Sequence, residues 1–394
     1  MDKTIRMRPE PGPGYGPPPG SRGATPRSTG GGGGKLALAL LAAALAATAA
    51  GGCNRDRRDA RYEETSQVTL PLAPQTRLVI ENARGTVRLR TSDTTVVRVE
   101  ARKQTAAGDQ EEARALAREV RVEVVREGTD LRLVVHYPER ISSSSVRVRV
   151  LGREVLRRRA DVDLQIAVPR DVPTKVVTKN GALTLEGSTG PLEFWTTSGD
   201  GRVDAHTGKL VMHSTSGDLS VERLDGSLEM DTTSGDLSAD LVTGALSYES
   251  TSGDLAAEEV GGTLTVSSVS GDISAERVRG AAAVSTTSGD VSLSATAGRL
   301  GVATASGDVD ARIEAPLQSV SVETTSGDVI LGLPDPAQGR LEIVTASGDI
   351  VARVPMTLEQ ANRRRLVGVL GPGSATIAVH TASGDVHVGL ASER

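Results

Sequence analysis

The chain of 394 residues sets 45 Lys+Arg against 50 Asp+Glu, a formal net charge of −5, and only 2% of it is aromatic. That balance is unsuited to nucleic acid, whose binding is dominated by cationic contact with phosphate. A core with one Trp, one Phe and four Tyr must be layered thinly from Leu, Val, Ile and Ala, while a single cysteine excludes an internal disulfide and any Cys-x-x-Cys metal or redox pair.

Residues 1–35 are rich in Gly and Pro and carry six basic side chains, and an Ala-rich apolar run follows over 36–50. The run is short for a membrane-crossing helix, which needs about 20 residues, but it suits the apolar core of a secretory signal. It ends in Ala50-Gly51-Gly52-Cys53. Small residues before a lone cysteine resemble a bacterial lipobox, in which the cysteine is lipidated and begins the mature chain. The resemblance implies a signal peptide over 1–52, lipid on Cys53 and a membrane as the first partner. Asn54, where an Asp would resemble a Gram-negative inner-membrane retention signal, points to the outer membrane, facing periplasm or surface, if the cell is Gram-negative. The charged, aperiodic stretch 53–66 reads as a flexible tether.

From 67 to 175 the pattern is mostly strand-like and is expected to form a β-rich cap, with apolar alternation at Leu78-Val79-Ile80 and Val87-Arg88-Leu89. Residues 109–119 carry Asp109 as a helix N-cap and Ala/Leu spacing behind it, so one short helix is predicted there. A hairpin around Gly128 follows. The arginine-rich segment 140–159 reads as a charged edge strand that discourages edge pairing, with contact to anionic lipid or polysaccharide as its functional alternative.

The rest of the chain, 176–390, is a repeat. Ser-Gly-Asp recurs at Asp200, Asp218, Asp236, Asp254, Asp272, Asp290 and Asp308, each eighteen residues after the last, and again at Asp328, Asp349 and Asp385. The final gap of thirty-six equals two periods. A fixed period near twenty residues means stacked units that bury their faces only against their neighbours. Eight residues before each Asp stands an aliphatic column, Leu210, Leu228, Leu246 and Leu264 among its members; six before it stand Phe194, Met212, Met230, Tyr248 and Val266. Polar columns alternate with these, as in strands with one buried face. Four residues before the Asp the column is only Ser or Thr, expected to bond hydroxyl to hydroxyl between coils. A second glycine column, Gly190 to Gly298, marks another corner, and glycine at both corners is expected to supply positive φ. Two corners give two strands per coil. The fold class is therefore all-β: a parallel β-solenoid of about 18-residue coils behind the β-rich cap. Trp195, beside Phe194, is expected to pack an end coil against that cap rather than to stack on sugar. One insertion, at about 356–374, interrupts the coils and carries Arg363, Arg364 and Arg365. It reads as a surface loop or short amphipathic helix and as the local candidate for contact with a partner.

Asn82-Ala83-Arg84-Gly85-Thr86-Val87, Val168-Pro169 and the repeated Thr-Ser-Gly-Asp together resemble the bacterial "putative adhesin" family of β-strand-repeat domains of unknown function, over about 66–390. That resemblance implies a secreted or membrane-anchored protein, and it brings no catalytic residues. The Asp column is expected to be structural, each carboxylate accepting backbone N–H bonds at a corner; a row of Ca²⁺ ions on the same carboxylates is the functional alternative. The expectation for the whole is a non-enzymatic, envelope-anchored lipoprotein, an adhesin-like or scaffold rod binding an envelope protein or polysaccharide, without cofactor. A polysaccharide-active β-helical enzyme and an envelope-stress regulatory protein are the alternatives.

Overall fold

The computed structural model describes residues 60–73, 75–139, 148–150, 153–155 and 158–391. Nearly all of them are β: thirty strands join in one continuous ladder, with a single α-helix among the described residues. The architecture is the β-solenoid expected from the repeat. The eighteen-residue period becomes spatial register. On one face Leu210 pairs in parallel with Leu228, then in turn with Leu246, Leu264, Ala282 and Leu300. On the other, Leu219 leads to Leu237, Leu255, Ile273, Val291 and Val309.

Between the faces lies a thin core in which Met230, Leu237, Tyr248 and Leu255 are at most 1% exposed. Each such side chain contributes roughly 1.5–3 kcal/mol by leaving water. A slip of one residue would turn Ser and Thr inward and Leu and Val outward, so the register is firmly specified.

The corners explain the glycines differently from the expectation. A Cβ on Gly235 would lie on the carbonyl oxygen of Gly217, and a Cβ on Gly271 on that of Gly253. Backbones approach too closely there for any side chain. Positive φ adds to this at Gly271 (φ 147°), but Gly235 is not in the left-handed region. Close approach, rather than φ, is what the whole column shares.

Both ends depart from the linear reading. Residues 60–66, expected as tether, begin the strand Ala60–Pro71, which pairs antiparallel with Val96–Ala107. Residues 67–175, expected as a cap apart from the coils, build two of them. Arg77–Arg84 and Val87–Ser92 pair in parallel with Thr174–Asn180 and Leu183–Thr189. Asp130–His136 and Arg159–Pro169 pair in parallel with the opposite edges of that same coil. The stack order is therefore 130–169, 77–92, 174–189, although the chain makes 77–92 first.

Antiparallel strands close this end, Arg121–Glu127 on one face and Val96–Ala107 with Ala60–Pro71 on the other. The helix Gln110–Glu119 forms where its pattern placed it: Asp109 accepts the Glu112 amide at 2.7 Å, and Ala113, Leu116 and Ala117 are buried. It packs on Ala60–Pro71 and Val96–Ala107.

At the other end the last repeat does not continue the stack by two periods. Thr376–Ser383 pairs in parallel with both Val309–Ser326 and Gly339–Ser347. Val386–Leu390 likewise lies between Val329–Leu333 and Ile350–Arg353. The chain makes the outer coil first and then returns to fill the place behind it. The insertion at 356–374 is neither loop nor helix. Thr357–Ala361 and Arg365–Leu370 form a β-hairpin, and Arg365–Leu370 pairs antiparallel with Gly339–Ser347, covering its open edge.

Candidate functional site

The most regular surface feature is the Asp column. The Asp218 amide donates to Asp200 Oδ1 at 3.2 Å, and Asp236, Asp254, Asp272, Asp290, Asp308 and Asp328 each donate to the preceding Asp at 2.8–2.9 Å. The ladder follows the stack and not the chain at its end: Asp385 donates to Asp328 and Asp349 donates to Asp385, both at 2.8 Å. The reason is local. The turn at the corner withdraws this amide from the backbone ladder, and the neighbouring side chain, exposed on the surface, supplies the acceptor instead.

Carboxylates one coil apart, at about 4.8 Å, repel by about 0.9 kcal/mol in water. The charge-assisted N–H bond on each offsets that. An open groove of about 520 Å³ is lined by Asp200, Asp218, Asp236 and Asp254 together with Arg202 and Ser220. Among the described residues no group of three or more His, Cys, Asp or Glu is arranged to hold a metal ion. The same device starts earlier than the repeat shows: the Thr86 amide donates to Asp163 Oδ1 at 2.9 Å in the outermost coil. Asp163 lies outside any Ser-Gly-Asp, and only the out-of-order stacking puts it in the column.

The Ser/Thr column does not form the expected ladder. Thr196 accepts from Thr178 at 3.1 Å, but the hydroxyls of Ser214, Thr232, Ser250, Ser268, Thr304, Thr324 and Thr381 are buried without a partner. Those of Ser214 and Thr232 lie beside the corner glycines Gly217 and Gly235. Tyr248 reaches the same corner, donating its hydroxyl to Gly235 O at 2.7 Å, and burial pushes its pKa up.

Trp195 faces outward, 40% exposed, and is not buried between an end coil and the cap. Lys175 Nζ lies 4.4 Å from its ring centroid, and the His213 ring lies 4.0 Å away, tilted by 37°. The ring is thus in contact with side chains of both neighbouring coils. The stack continues into charge: His213 Nδ1 is 2.9 Å from Asp231 Oδ2, and Glu193 lies 3.3 Å from both Lys175 and Arg77. Burial alone would raise the Glu193 carboxyl, but the Lys175 and Arg77 cations outweigh it and hold it below the ordinary carboxylate range.

A buried polar pair breaks the aliphatic column at the second corner. His206, 2% exposed, accepts or donates through Nδ1 to Ser188 Oγ at 2.7 Å, and its Nε2 is buried without a partner. Burial lowers its pKa. One register further the column holds Leu224 and Val242, so nothing in the repeat pattern announces the substitution. Hydroxyl and imidazole stand at nucleophile–base distance, but both residues are buried.

Of the remaining predicted residues, Arg365 pairs with Glu342 at 2.8 Å, while Arg363 and Arg364 lie exposed at the hairpin turn, where Asn362 Oδ1 accepts the Arg364 and Arg365 amides. Cys53 and much of 140–159 lie outside the described residues; within that segment Arg158 pairs with Glu112 at 2.5 Å and Arg159 with Asp161 at 2.5 Å. No described helix is long and apolar enough to cross a membrane.

No curated protein matches the chain in sequence. Among solved structures it is similar to a "putative adhesin" from Bacteroides fragilis, at 17% identity over 62% of this chain and 96% of that one, with a TM-score of 0.32. A "putative cell adhesion protein" from Clostridium sporogenes shares 12% identity over 84% and 99%, at a TM-score of 0.18. A "putative lipid binding protein" from Parabacteroides distasonis shares 11% over 82% and 96%, at 0.29. At those scores the likenesses carry no argument about what this chain does. Its sequence speaks more directly: residues 75–276 and 227–389 both match one family model, and the chain belongs to the Toastrack DUF4097 family.

Proposed function

We propose that this chain is a non-enzymatic binding protein of the bacterial cell envelope, held to a membrane by lipid on Cys53 and presenting its solenoid faces, adhesin-like or as a scaffold, to an envelope protein or polysaccharide. The observation that carries this reading is the insertion-free run of coils from Leu192 to Asp308, where backbone and Asp ladder fix a regular surface. Outward charges on that run pair along the stack, as Lys209 does with Glu229 at 2.6 Å and Arg277 with Glu258, Glu259 and Glu276 at 3.1–3.4 Å. Rigid arrays of this kind suit docking. Enzymes on a solenoid place acids, bases or metal ligands on loops between coils, and the Ser188–His206 contact here is buried. The exposed Arg363 and Arg364 at the hairpin turn are the proposed point of contact with an anionic partner.

Metabolic labelling with a clickable fatty acid should mark the wild type and not Cys53→Ser; equal labelling of both removes the anchor. Capture of envelope material by the chain should weaken with added salt and with Arg363→Ser plus Arg364→Ser at unchanged melting temperature. Turnover of a polysaccharide, lost on changing one outward carboxylate, would replace the reading with an enzymatic one.

A further inference from the structure

The place filled by 376–390 is a two-sided slot whose walls are themselves repeats. One wall is Val309–Ser326 with Val329–Leu333, and the other is Gly339–Ser347 with Ile350–Arg353. We propose that this slot is a strand-acceptor site, and that it takes the segment 376–391 either from its own chain, as here, or from a second copy.

The contacts that hold the segment are those of the repeat and of nothing else. Ile377, Val379, Val386 and Val388, all at most 2% exposed, continue the apolar columns. Asp385 joins the Asp ladder on both sides, and the Gly384 amide donates to Ser347 O while Gly327 donates to Ser383 O. A slot that reads only the repeat pattern cannot distinguish its own segment from another copy's, so exchange preserves every one of these bonds, as in domain swapping.

The walls also fit each other. Ile377 is flanked by Val320 and Leu341, Val379 by Val322 and Ile343, and Thr381 by Thr324 and Thr345. With the segment out, like would meet like, and the two coils would close by direct stacking. The chain makes 339–353 before 376–390, so this closed arrangement is available to it first, and the segment must then enter by displacement. The segment joins the stack through the connector 371–375, Gly-Pro-Gly-Ser-Ala. The out-of-order coil at the other end is tied in on both sides. Asp130–His136 and Arg159–Pro169 are followed by strands that lead on into the whole remaining stack.

The test uses two tagged versions of the full chain, each with Cys53→Ser. One carries Ser321→Cys and the other Ala378→Cys, positions paired across the slot wall. Co-refolding at high concentration followed by oxidation should give a disulfide-linked heterodimer, and a peptide of residues 374–391 added in excess should suppress it. A chain carrying both thiols should close within itself, which shows that the substitutions fold. Replacing Ala378→Cys by Ser285→Cys, on a middle coil, should leave only background linkage. The proposal is overturned if the 321–378 pair links within one chain but never between copies, or if linkage between copies is the same for the Ser285→Cys control.

Discussion

Between Leu192 and Asp308, coils adjacent in space are adjacent in sequence, and each is held by the same columns, the same corner glycine and the same Asp bond. At the two ends, the coil order in space departs from the order along the chain, and antiparallel strands lie across the outer edges of Gly339–Ser347, Asp130–His136 and Arg159–Pro169. The contrast shows two different problems being solved. A middle coil needs only neighbours like itself. An end coil has a face of unpaired N–H and C=O groups that would template further strands, and its own stacking energy comes from one side only. Returning the chain behind an end coil ties that coil in by two connections; the hairpin at 356–374 then covers the edge of Gly339–Ser347, and the strands at 96–107 and 121–127 cover the outermost coil at the other end.

The sharpest way to break this comparison is to bury a charge in each region. Leu237→Asp, in the middle, should cost about 3 kcal/mol or more by leaving a carboxylate unpaired in the core. Ile350→Asp, on the half-buried outermost strand, should cost about 1 kcal/mol or less. Urea unfolding of both variants checks this, and equal losses would mean that the end coils are as integral as the middle ones.

Next in size is the corner. Gly235→Val forces a side chain into the Gly217 carbonyl and should cost about 2 kcal/mol or more. Gly301→Ala, whose Cβ would meet nothing within 4 Å, should be neutral or stabilise by about 0.4–1 kcal/mol. A pair of thermal melts decides it, and a tolerated valine at 235 would refute close approach as the reason for the column.

A smaller effect depends on pH. His206 has a folded pKa lowered by burial from the ordinary 6.5, so protonation favours the unfolded chain. Its contribution to stability is complete above about pH 6.5 and is lost as pH falls, with a slope of at most about 1.4 kcal/mol per unit. His206→Leu, which matches Leu224 in the next coil, should flatten the stability–pH curve below that point. An unchanged curve would show that the acid sensitivity lies elsewhere.

The least effect is expected at the Asp ladder. Asp236→Asn keeps an acceptor for the Asp254 amide and should be near neutral, whereas Asp236→Ala removes it and should cost about 1 kcal/mol. Millimolar Ca²⁺ should leave the melting temperature of the wild type nearly unchanged. A rise that grows with Ca²⁺ concentration and disappears in Asp236→Asn with Asp254→Asn would instead assign the column to cation binding.

The sequence by itself determined the repeating part, because there every structural requirement falls on the same residue type at the same interval. Leu210, Leu228 and Leu246 could be placed on one ladder, and Asp109 at a helix start, before any coordinates. Inward-facing apolar positions and close-approach glycines are local or nearest-neighbour demands, and a period displays them. Tertiary structure alone decided the order of the end coils. The segments 77–92, 319–333, 339–353 and 376–390 carry matching patterns, so pattern cannot say which stacks on which; loop direction and edge coverage choose. For the same reason Asp163 took the register of the Asp column unannounced, the Arg363–Arg365 insertion became a capping hairpin, and Trp195 came to lie against Lys175 and His213 on the open face. Those residues owe their surroundings to chain segments far away in sequence, and no local pattern records such neighbours.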